Sequence, residues 1–65
     1  MKEKPEIVVS RSGRKLLIVY RMVGQMFATA AQLRNGRTVV AETDDVPFGF
    51  YGRAREMALE LAEKL

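Results

Sequence analysis

Five cations flank two turn-like segments. Arg11 and Arg14 bracket Ser12-Gly13, with Lys15 next to them, and Arg34 and Arg37 bracket Asn35-Gly36. Guanidinium and ammonium groups beside the backbone amides of tight turns are suited to holding phosphate oxygens. The chemistry they point to is polyanion binding, and nucleic acid is the expected partner. A net charge of +3 and a pI near 9.7 agree with this without requiring it.

Covalent chemistry is poorly supplied. The chain has no His and no Cys. That removes the commonest general base, the acyl-transfer triads and any thiolate nucleophile or ligand. Glu56, Glu60 and Glu63 share one face of a helical pattern, the usual arrangement of a solvated face. Asp44-Asp45 has the charge to hold a hard cation. Ahead of a helix, however, such a pair is expected to serve the helix dipole or to pair with Arg53 or Arg55. Gly49-Phe50-Tyr51-Gly52 lacks the Lys-Ser/Thr of a phosphate loop. We therefore expect a non-enzymatic chain with no catalytic residue, no metal ligand, no cofactor and no small-molecule substrate.

The elements that position these residues follow from periodicity. β-formers predict strands over about 6–10, over 15–23 (Lys-Leu-Leu-Ile-Val-Tyr-Arg-Met-Val), over 26–33 and over 38–43. Ala28, Ala30 and Ala31 leave a helical alternative for the third segment, but its flanking turns favour a strand. Residues 44–49, with Pro47 and Gly49, read as a loop. From about 53, or as early as Phe50, apolar residues at 54, 57, 58, 61 and 65 follow an amphipathic helical spacing. The fold class is α+β: a four-stranded antiparallel β-meander followed by one C-terminal α-helix packed on one face. A single domain over 1–65 is expected, with 1–5 a flexible tail. No apolar run has the ~18 residues of a membrane span. No leader segment is recognisable, so a cytoplasmic location is expected.

Two-residue turns throughout would place Ile7, Val9, Leu16, Ile18, Tyr20, Met22, Phe27, Ala31, Leu33 and Val40 on one face, under the helix. Val8, Leu17, Val19, Val23, Met26, Ala28, Ala30, Val39 and Ala41 would lie on the other. One helix cannot cover both. The second face is thus an expected contact surface, represented by Leu17, Val19, Met26 and Val39, with a homodimer or another protein as partner. In a meander the first and third turns share one end of the sheet, which gathers Arg11, Arg14, Lys15, Arg34 and Arg37, with Lys64 from the helix. Glu42, Asp44 and Asp45 are expected at the opposite end. Phe48, Phe50 and Tyr51 are expected to close the core there.

The segment from Gly24 to Leu65, with its Gly-bearing hairpin and the spacing of Ala54, Ala58 and Ala62, resembles small sheet-plus-helix modules. HicB-type antitoxins and integrase arm-binding DNA domains are of this kind, and double-stranded-RNA-binding domains end in a comparable helix. The resemblance is architectural. It implies a sheet followed by a helix and carries no residue roles across.

Overall fold

In the computed structural model, which describes residues 6–24 and 28–65, the antiparallel sheet is a meander of β1 (Glu6–Val9), β2 (Lys15–Val23), β3 (Ala28–Asn35) and β4 (Thr38–Glu42). A short β5 (Val46–Pro47) also pairs with β3. The helix α1 (Tyr51–Lys64) then returns across one face and packs mainly on β3. The expected ββββα architecture is therefore present, and the third segment is a strand despite its alanines. The addition is β5, inside the stretch expected to be loop. Thr29 pairs with Val46 and Ala28 with Pro47. Pro47 has no N–H to give to a ladder, which suits it to this edge position.

The register departs from the expected one at all three connections: the first two are longer than two residues, and the third keeps a two-residue loop shifted by one position. The first hairpin has a three-residue loop, Arg11-Ser12-Gly13. Ser10 N–H donates to the Arg14 carbonyl at 2.8 Å and Gly13 N–H to the Ser10 carbonyl at 2.9 Å. Gly13 takes φ 93°, the left-handed conformation that ends such loops and that glycine adopts most cheaply. The Ser10 hydroxyl accepts from Arg14 N–H at 3.1 Å. An odd-numbered loop inverts the parity of β1. Val8 pairs with Leu16 and Ile7 with Leu17. Val8 thus joins the core face, while Ile7 and Val9 go to the other, 59% and 63% exposed.

The second connection, 24–27, spans four residues between paired Val23 and Ala28. An even number preserves parity, so Ile18 and Tyr20 still share a face with Leu33 and Ala31. In the third hairpin, Asn35 pairs with Thr38, and Gly36 and Arg37 form the loop. Gly36, at φ 64°, is the first central residue, as mirror-image hairpin turns allow. Arg34 and Arg37 are therefore not cross-strand partners; Arg34 faces Val39. The register also shifts between Leu33 and Arg34, whose partners are Ala41 and Val39. This β-bulge leaves Val40 as the extra residue. Without it, Glu42 would turn toward the core. With it, Ala41 packs inward while Val39 and Glu42 stay out.

The core lies between sheet and helix. It comprises Leu16, Ile18, Ala31, Leu33 and Val46, with Ala54, Ala58 and Ala62 of α1. The three helix alanines, four residues apart, form one stripe that lets the helix approach the sheet closely. Met57 and Leu61 flank this stripe half-buried, and Leu65 is exposed. Two polar groups close the β3 edge. Thr43 N–H donates to the Ala31 carbonyl at 2.9 Å, and the Thr43 hydroxyl accepts from Ala31 N–H at 3.0 Å. These bonds carry the chain from β4 to β5 without leaving a buried amide unpaired.

Candidate nucleic-acid interface

The hairpin loops at Arg11–Gly13 and Gly36–Arg37 share one end of the meander. The C-terminus of α1 reaches the same end, where Arg11 N–H donates to the Ala62 carbonyl at 2.9 Å. That bond occupies one of the carbonyls a helix end leaves open, and it fixes the first loop against the helix. Arg11, Arg14, Lys15 and Arg37 are exposed; Arg34 is half-buried. Arg34 Nε donates to Gln32 Oε1 at 3.1 Å, which holds its guanidinium along the sheet face.

Ion pairing sorts the cations. Arg21 pairs with Glu42, Arg53 with Glu56 at 3.8 Å and Arg55 with Glu6 at 2.6 Å. Among the described residues, no carboxylate pairs with Arg11, Arg14, Lys15, Arg34 or Arg37. The five cations at the loop end thus keep their charge available. Lys64 lines a shallow cleft between α1 and the end of β4, with Asp44 and Glu60 also in its lining. No group of three or more metal-ligating side chains occurs among the described residues.

The carboxylates do not divide as expected. Glu42 lies mid-sheet, opposite Gln32, and bonds Arg21 across β3. Asp44 and Asp45 are exposed between β4 and β5. Neither pairs with Arg53 or Arg55, whose partners are Glu56 and Glu6. The Arg55–Glu6 pair is bidentate, with Nε at 2.9 and 3.1 Å from the two carboxylate oxygens, and it ties the edge strand β1 to the helix.

The Arg55 hydrogen bonds hold the Glu6 carboxyl below its ordinary range; partial desolvation opposes them and the Arg55 charge adds to them. A carboxyl whose folded pKa is depressed contributes stability that is present above its unfolded pKa. That contribution is lost as pH falls through the folded value. Glu6→Gln is therefore expected to be less stable than the parent at neutral pH, with the difference closing below the carboxylate range. Urea midpoints measured at both pH values check this.

At the other end, Tyr51 stacks edge-on against Tyr20 with ring centroids 5.4 Å apart, and Phe48 meets Tyr51 at 6.3 Å. The rings close the core only in part: Phe48, Phe50 and Tyr51 remain 45%, 58% and 42% exposed.

The sheet face away from the helix carries Leu17 and Val19, half-buried, and Val39, 42% exposed. Met26, also expected there, lies outside the described residues. Ala41, expected on this face, packs against the core instead. Ile7 and Val9 were missed because a two-residue first turn turns them inward; Gly at the third position of Arg11-Ser12-Gly13 was the signal for the longer loop. No helix among the described residues is long and apolar enough to cross a membrane. Comparison with protein-family models, with curated proteins and with solved structures gives no match.

Proposed function

We propose that the chain is a non-enzymatic nucleic-acid-binding module that grips the phosphate backbone with its loop end. The observation that carries this reading is the set of five cations without a carboxylate partner among the described residues, brought from two hairpins to one end of the sheet. Arg11 and Arg37 project from loops, and Arg14, Lys15 and Arg34 from the adjoining strand ends. Such an array follows a line of phosphates and reads no bases. The exposed aromatic rings stand at the opposite end, so stacking on unpaired bases is not part of the grip. Backbone contact by loops suits a duplex.

Titration of the labelled chain with a short DNA or RNA duplex, followed by amide chemical shifts, tests the reading. Shifts are expected at residues 11–15 and 34–38, with residues 44–51 unchanged. Shifts centred on 44–51, or none at low salt, would overturn it.

A further inference from the structure

We propose that Arg34, set by Gln32, is the phosphate anchor of the loop end: its terminal guanidinium nitrogens grip the free oxygens of one phosphate group, and the exposed cations around it add charge alone. The inference rests on the nucleic-acid reading for the source of that phosphate, and it assigns the residues that fix the phosphate in place.

Arg34 differs from the other four cations. It is half-buried, whereas Arg11, Arg14, Lys15 and Arg37 are exposed. In the register it lies between Leu17 on β2 and Val39 on β4, so aliphatic neighbours flank its stem. A cation withdrawn from water in this way is ordinarily balanced by a carboxylate. Arg21, Arg53 and Arg55 each have one, and Arg34 has none among the described residues. Glu42 stands opposite Gln32 in the register, but its carboxylate is taken by Arg21.

Gln32 supplies a neutral partner instead. It is 8% exposed, and its Oε1 accepts from Arg34 Nε at 3.1 Å. That bond orients the guanidinium without neutralising it. It uses the N–H on the flank of the group and leaves those on the two terminal nitrogens. Parallel donors at the end of a planar fork match a pair of phosphate oxygens, a geometry that an ammonium cannot offer. The anion then brings the balancing charge that the half-buried guanidinium lacks. A carboxylate in place of the Gln32 amide would supply that charge internally and close the site.

Anisotropy titration of the full chain with a short DNA duplex, at two salt concentrations, tests the proposal. Arg34→Lys keeps the charge and loses the fork. It is expected to lower affinity about tenfold, the worth of one charge-assisted hydrogen bond, with the salt slope unchanged. Arg14→Lys and Arg37→Lys, at exposed sites, should stay within about twofold of the parent. Gln32→Met removes the acceptor with the net charge kept, and should match Arg34→Lys. If Gln32→Met fails to fold, Gln32→Glu replaces it. Its carboxylate pairs with Arg34, and affinity should fall further than in Arg14→Gln, which changes the net charge by the same amount. Inorganic phosphate separates the anchor from its nucleic-acid partner. It should shift the Arg34 Nε–H resonance saturably in the parent and not in the folded Gln32 variant. That response in a chain that binds no duplex overturns the nucleic-acid reading and supports the anchor. Equal losses for Arg34→Lys and Arg37→Lys, or a folded Gln32→Met with the parent's affinity, overturn the anchor and leave the nucleic-acid reading standing. No response to either phosphate or duplex overturns both.

Discussion

Leu33→Ala is expected to lower the thermal midpoint by roughly 10–30 °C, measured by circular dichroism at fixed concentration. Leu33 is fully buried on β3, paired with Ile18 on one side and Ala41 on the other. The helix packs above this strand. Removing a buried Leu side chain costs about 2–5 kcal/mol, the larger values where the cavity cannot collapse. Collapse is difficult here because the neighbours are small and fixed: Ala31 lies in the same strand, and Ala54, Ala58 and Ala62 on the facing helix. A 65-residue chain has a total stability of roughly 3–10 kcal/mol, so the loss is a large share of the whole. Leu65→Ala, at a position 38% exposed, should shift the midpoint by only a few degrees.

The second large effect concerns the loop cations. Arg34→Glu combined with Arg37→Glu is expected to weaken duplex binding at about 0.1 M salt by at least ~50-fold. Each phosphate neutralised releases counterions, contributing about 0.9 to the salt exponent, or close to a factor of eight at that salt concentration. Two lost contacts account for the ~50-fold, and the added negative charges increase it. The fold should survive. Arg37 is exposed in the loop, and the described bond of Arg34 is to Gln32, so neither arginine supports the core. Isotherms by fluorescence anisotropy, with a circular dichroism spectrum of the variant, check both parts.

The architecture was legible because β-formers alternate with turn residues and the helix pattern is strong. Alternation fixes the existence of a strand but not its parity, which depends on loop length. The first loop holds one residue more than a two-residue turn, and this exchanged Val8 for Ile7 and Val9 on the core face. The second is longer by two, so the core face there survived an incorrect register. The bulge at Val40 follows from where Glu42 and Ala41 must point, a tertiary demand that local propensity does not express. Val46 was hidden for a similar reason. A Pro-bearing stretch reads as loop, yet it lies along β3 and fills the edge of the core. The loop-end cations were legible because turn residues announce themselves and meander topology fixes which turns share an end. Their lack of an ion pair among the described residues was not, since it depends on Glu6 and Glu42 engaging other arginines.

The salt dependence of duplex affinity, compared between the parent chain and the Arg34→Glu, Arg37→Glu variant, tests the central claim most directly. Five phosphate contacts give a slope of up to about −4.5 in log affinity against log salt between about 50 and 200 mM, and the variant should lose close to two units of it. A parent slope near zero, or equal slopes for the two chains, would contradict the assignment of binding to the loop end.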